Sequence, residues 1–300
     1  MTISLAWLRK NGSLEELVIA SDSRVRFGGH WDCAPKILQL RRGDAVLCFA
    51  GDTLYSYPIM LQAIAAMEQH PKIKSRAYDL EQLKGYFIDV LNNMISKVED
   101  LPRGMDPTPE TVFILAGWSW ARNCFRAWQI FYNKKIKKYS FHSANPWAGG
   151  NKDKFLVFAG DYEDEFKSRL MRLLKNKNKH NRGGFDMEPF EILRDMIRNN
   201  TFNAIGGAPQ LVKVYKHQNT LPFGILWPND GSYQVNLLGR PLLEYEMTKY
   251  LIVNPDTLTT SKHNELPKSA EKITKRYFLS KVVDILHAIK YFKESDHHYK

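Results

Sequence analysis

Thr2-Ile3-Ser4-Leu5-Ala6-Trp7 opens a chain in which Ala20-Ser21-Asp22-Ser23-Arg24, Ala34-Pro35-Lys36-Ile37 and Phe49-Ala50-Gly51-Asp52 follow within the first 52 residues. Each run sits at the start or the end of a strand-like segment. Residues 3–9 and 17–25 read as two strands about the turn signal Asn11-Gly12. Residues 35–41 and 45–51 repeat the pattern about Arg42-Gly43-Asp44. Four strands therefore precede any helix.

Two helices are predicted next. Residues 53–69 carry Tyr57, Met60, Ile64 and Met67 at helical spacing, and residues 80–98 carry a stripe that includes Leu83, Phe87 and Leu91. Asp79 and Gln82 stand where a capping box would start the second helix. Beyond the Pro-rich loop 100–111, strands are predicted at 112–118, 125–132, 136–142 and 154–159, then helices at 162–177 and 187–199. After Gly206-Gly207 strands return at 210–216, 222–227 and 232–238, and residues 269–293 read as a final amphipathic helix. Two antiparallel sheets stacked between two helix layers suit this order, because each helix pair then covers its own sheet face. The predicted class is α+β, a four-layer αββα sandwich over residues 1–238 with a C-terminal extension over 239–300.

Composition narrows the function classes. The chain is 44% hydrophobic and 25% charged over 300 residues, ordinary for a soluble globular protein. No apolar run approaches the roughly 18 residues of a membrane span, and the N-terminus, with its charges after its apolar stretch, does not read as a secretory leader. Cys33, Cys48 and Cys124 fit neither a zinc site nor a disulfide framework, which points to a reducing cytoplasm. The net charge is +11, of which +8 falls in residues 134–182, including Lys134 to Lys138 and Lys175 to Arg182. Such a segment is ordinarily a solvated rim. No zinc finger, RNA-recognition motif or KH loop accompanies it, so a nucleic-acid partner is not expected. Gly149-Gly150-Asn151-Lys152 lacks the context of a phosphate loop, and the tail pair His297-His298 reads as a terminus, not a metal site. Neither a metal nor a cofactor is predicted.

The chemistry lies at the start. Residue 2 is small enough for methionine aminopeptidase to remove Met1, which would leave an N-terminal threonine with a hydroxyl and a free α-amine in one residue. An α-amine has an ordinary pKa near 8 and can act as a general base without histidine. Taken singly these features are bland, since any Met-Thr start yields such a terminus and a lone aspartate or lysine is usually a turn or a surface charge. Together and in this order, the four runs resemble the proteasome β-subunit family of N-terminal-nucleophile hydrolases and its bacterial HslV and Anbu-type relatives.

That resemblance implies roles residue by residue. Thr2 Oγ would attack the scissile carbonyl, Lys36 would lower the energy of the threonine alkoxide, Asp22 would hold Lys36, and the Gly51 N–H would donate to the oxyanion. Arg24 would be a supporting residue of the site. Gly160 or Asp161 stands where the family has a serine, and Asn203 or Thr201 near Gly206-Gly207 where it has an aspartate and a serine. Ala34, Leu38, Phe49 and Thr53 would line the pocket, with Phe49 limiting its depth so that small or medium side chains fit. The implied function is a threonine-type peptidase or amidase acting on a peptide or protein, in a homo-oligomeric ring or smaller assembly, maturing by methionine removal alone. An ATPase or accessory partner is left undetermined. A non-catalytic proteasome-like subunit that binds or assembles is the alternative.

Overall fold

Alternation of side chains along two central strands sorts the interior into three apolar clusters. The computed structural model describes residues 2–26, 29–100, 108–147, 154–179, 184–199, 201–216, 219–229 and 232–266. Strands β1 (Ile3–Asn11), β2 (Leu14–Ser21), β3 (Val25–Arg26), β4 (His30–Trp31), β5 (Ile37–Gln39) and β6 (Ala45–Ala50) come first. Helices α1 (Thr53–Gln69), α2 (Pro71–Lys74) and α3 (Leu80–Ile95) follow, then β7 (Val112–Ser119), β8 (Cys124–Asn133), β9 (Lys138–Ser143) and β10 (Leu156–Gly160). After α4 (Glu163–Asn176) and α5 (Glu188–Arg198) come β11 (Gln210–Tyr215), β12 (Asn219–Asn229), β13 (Ser232–Leu237), β14 (Arg240–Pro241), β15 (Ile252–Val253) and β16 (Thr260–Ser261).

The strands form one sheet in the order β10-β1-β2-β11-β12-β13-β14, with β15 joining β12 and β16, a second in the order β5-β6-β7-β8-β9, and the small pair β3-β4. Among the described strand pairings only β12 with β15 is parallel, apart from an isolated parallel bridge between Arg9 and Phe185, so the chain is an α+β protein of mostly antiparallel sheets. On β1, Ile3, Leu5 and Trp7 point to a cluster with Phe166, Leu170 and Phe190 of α4 and α5. The intervening Ala6 and Leu8 point the other way, into a cluster shared with Val46, Cys48 and Ala50 of β6. The remaining face of β6, Ala45, Leu47 and Phe49, packs with α1 and α3 through residues such as Ile59 and Phe87.

Several predicted details change. The strand expected over 17–25 ends at Ser21, and the chain leaves the sheet at Asp22. Asp79 does not cap α3 with its side chain. Its buried carboxylate instead accepts from Ser119 Oγ at 2.6 Å and from the Trp120 N–H at 3.0 Å, tying down the β7–β8 turn. Within the predicted extension, the described part supplies β14, β15 and β16 to the first sheet, with Ile252 and Val253 buried. The helix predicted over 269–293, the pair His297-His298 and the 149–152 run lie outside the described residues.

Candidate active site

Thr2 stands just before β1, between the strands that flank it: Ile3 pairs with Gly160 of β10 and Ser4 with Ser21 of β2. Because β2 stops at Ser21, Asp22 turns in toward Thr2, and its backbone N–H still reaches Ile3 O at 3.2 Å. The Asp22 carboxylate is fully buried and has five donors. Oδ1 accepts from the Thr2 hydroxyl (3.2 Å), the Ile3 N–H (3.1 Å) and Lys36 Nζ (2.7 Å). Oδ2 accepts from the backbone N–H groups of Arg24 (3.0 Å) and Gly206 (3.1 Å). Lys36 Nζ also donates to Thr2 Oγ1. Thr2, Asp22 and Lys36 thus meet, all three buried. Burial pushes the Lys36 ammonium below its ordinary pKa, while Asp22 beside it, and Asp32 and Asp161 farther off, pull it back up. A hydroxyl gripped this way has a charge beside it for the alkoxide and a carboxylate that keeps the charge in place.

Gln210, the first residue of β11, holds the two charged segments together. Its Oε1 accepts from the Lys36 N–H at 3.0 Å and the Ile37 N–H at 3.3 Å. Its Nε2 donates to Ala34 O at 2.8 Å, Ser23 Oγ at 3.0 Å and Asp22 O at 3.3 Å. This fully buried amide was not among the predicted site residues. The one trace it leaves in sequence is a polar residue heading an otherwise apolar strand start.

A cleft of about 370 Å³ opens at Thr2, walled by Val25, Arg26, Asp52, Thr53, Glu110 and Val112, with Gly51, Gly160 and Asp161 beside the threonine. Both glycines are required. Gly51 has φ +106°, and a Cβ there would lie 2.1 Å from Glu110 O. Gly160 has φ +117°, and a Cβ there would lie 1.8 Å from Thr2 O. Asp161, beside Gly160 where the resemblance implies a supporting residue, accepts from the Thr2 nitrogen at 2.7 Å.

The other predicted residues divide. Arg24 supports Asp22 only through its backbone N–H, because its guanidinium is paired with both oxygens of Asp32 at 2.6 and 2.7 Å. Asn203 contributes its carbonyl to Arg24 and Arg26, each at 3.1 Å, and the Thr201 hydroxyl bonds Asn199. Neither side chain reaches Asp22, whose Oδ2 takes the Gly206 N–H instead. A Cβ on Gly206 would lie 2.5 Å from the Arg24 guanidinium carbon. Thr53 lines the cleft, whereas Ala34, Leu38 and Phe49 belong to the cluster under α1 and α3. The reason is the two-residue period of β6: Phe49 points away from Thr2 and meets the Tyr57 ring edge-on at 5.2 Å. Phe49→Ala should therefore cost about 3–5 kcal/mol in a denaturation curve and leave a peptide-library profile unchanged. A profile broadened toward bulky side chains would return Phe49 to the pocket.

The basic segment is tied up locally only in part. Lys134 to Lys138 are exposed at the β8–β9 turn, whereas Lys167, Arg169, Lys177 and Lys179 pair with Glu163, Glu165, Glu191 and Glu188. Among the described residues no group of His, Cys, Asp and Glu could hold a metal ion, and no helix is long and apolar enough to cross a membrane.

By its shape the chain has a proteasome-related β-subunit type of fold. Two of its structural neighbours are Anbu proteins. Anbu (ancestral β-subunit) from Yersinia bercovieri superposes with a TM-score of 0.50 at 11% identity, over 95% of this chain and 96% of that one. The Anbu (Gly-1) mutant from Hyphomicrobium sp. strain MC1 is also similar, with a TM-score of 0.49 at 13% identity, over 96% and 97% of the two chains. The likeness is one of fold. The sequence matches no family model and no curated protein.

Proposed function

We propose that the protein is an N-terminal threonine hydrolase, a peptidase or amidase whose nucleophile is Thr2 once Met1 has been removed. One observation carries this reading: the Thr2 hydroxyl receives the Lys36 ammonium while both rest against the same buried Asp22 carboxylate. Thr2 Oγ attacks the carbonyl carbon of the scissile amide and its proton passes to the α-amine. Lys36 stabilises the alkoxide as it forms. The Gly51 N–H stabilises the oxyanion, a donor worth about 3 kcal/mol. The C–N bond then breaks, the leaving amine takes the proton from the α-ammonium, and the ester on Thr2 is cleared by a water that the same amine activates.

The accompanying fold reading is the four-layer αββα sandwich, α4 and α5 on one sheet and α1 and α3 on the other, which the three apolar clusters support. Residues 239–300 are an addition to it. The similar Yersinia chain is a β-subunit, which supports a homo-oligomeric assembly, and three free cysteines support a cytoplasmic setting. A subunit that binds without cutting is the rival, favoured by Asn203 and Thr201 directing no side-chain bond to Thr2. Intact mass of natively expressed protein should lack Met1, and a peptidyl vinyl sulfone should add once, on the N-terminal peptide. Met1 retained in most molecules, or no adduct at Thr2, removes the hydrolase and leaves the binding subunit.

A further inference from the structure

The Thr2 nitrogen faces a carboxylate that this scheme has not used. Asp161 Oδ2 accepts from Thr2 N at 2.7 Å, and the Asp161 N–H donates to Thr2 O at 2.9 Å, so the two residues clasp each other at both ends. The clasp exists because Ile3 pairs with Gly160 and because Gly160 has no Cβ to strike Thr2 O. Removing Met1 would turn this nitrogen from an amide into an amine.

We propose that Asp161 is the positioning residue of the terminal amine, holding the α-amine of Thr2 as an ion pair and setting the pH above which that amine is free to act as base. This rests on the hydrolase reading for the amine's role, not for the ion pair itself. An amine that commits one N–H to Asp161 is held with its lone pair available to Thr2 Oγ.

The charged surroundings favour the carboxylate in contact. Lys36, ahead of β5, reaches the Thr2 hydroxyl, and Asp22, after β2, accepts from the same hydroxyl and from Ile3 N–H, so these two charges offset each other. Arg26 of β3, Asp52 ahead of α1 and Glu110 ahead of β7 wall the cleft. The Arg24 guanidinium is turned to Asp32. An opposite charge within about 4–6 Å favours the protonated form by roughly 1–3 pH units. The sign follows directly: with Asp161 in place the amine titrates above its ordinary value near 8, and the rising limb of hydrolysis against pH moves to higher pH.

The test is the titration of Thr2 itself. Chain beginning at Thr2, released from a ubiquitin fusion so that the terminus does not depend on the host, would carry ¹³C-labelled threonine. The Thr2 Cα shift would be followed across the pH range in wild type and Asp161→Asn, which keeps an acceptor but removes the charge. The midpoint should fall by about 1 pH unit or more in the variant, and the acid limb of hydrolysis should move down with it. A merely structural role would lower stability and leave the midpoint where it was. Coincident midpoints overturn the proposal even if the protein hydrolyses peptides. A lowered midpoint in a protein that hydrolyses nothing sustains the ion pair and sinks the hydrolase instead. Repeating the pair of titrations on a Lys36→Met chain separates the amine from Lys36: a fall that vanishes there overturns the assignment to Asp161 and the amine.

Discussion

Lys36→Ala is expected to leave less than about a thousandth of wild-type hydrolysis, measured by single-turnover kinetics on a peptide ester or amide. The ammonium touches the hydroxyl that must become an alkoxide, and both groups are buried. Removing one neutral oxyanion donor in comparable enzymes costs about 100- to 1,000-fold, and a full charge in direct contact should cost at least as much. The variant will also be less stable. Asp22 would keep its four neutral donors but lose its counter-charge, and breaking a buried pair from one side costs about 3–5 kcal/mol. Lys36→Met, which fills the space of the stem, separates the two effects. A folded Lys36→Met protein with near-normal turnover would show that the lysine has no part in the chemistry.

Asp22→Asn is expected to lose about 100-fold or more, for two reasons that point the same way. Burial already holds the Lys36 ammonium below its ordinary pKa, with Asp22 the largest influence opposing the shift. Without that carboxylate the pKa falls further, so the charged form is lost sooner as pH rises and the remaining activity should decline toward alkaline pH. The amide also puts an NH₂ where only acceptors fit, facing either Lys36 or the N–H groups of Arg24 and Gly206, and an unmatched buried donor costs about 1–3 kcal/mol. A pH–rate profile of Asp22→Asn with the wild-type shape and height would refute the pairing as a functional one.

Much of this was legible because the informative residues lie close together in sequence. Thr2, Asp22, Lys36 and Gly51 are carried by the ends of four successive strand segments, and local alternation was enough to find those strands. The spans of α1 and β6 came out almost as read. What could not be seen falls into two kinds. Contacts such as Asp161 with Thr2 and Gln210 with Lys36 bridge 159 and 174 positions, and no local pattern encodes a pairing of that range. Orientation on β6 was hidden for another reason: both of its faces are buried, so an uninterrupted apolar run gives no sign of which side Phe49 takes. Strands of two residues, such as β3, β4 and β15, are too short to show any period.

The Gln210 clamp has a consequence for timing. Thr2, Asp22 and Lys36 leave the ribosome early, but the Gly206 N–H and the Gln210 amide that order them are made last among the site's parts. A chain stopped at residue 199 would hold a threonine, an aspartate and a lysine with no fixed relation, and so nothing able to attack its neighbours. On the hydrolase reading, completion of β11 acts as the safety catch: the site is assembled only when the strand carrying Gln210 slots in against β2.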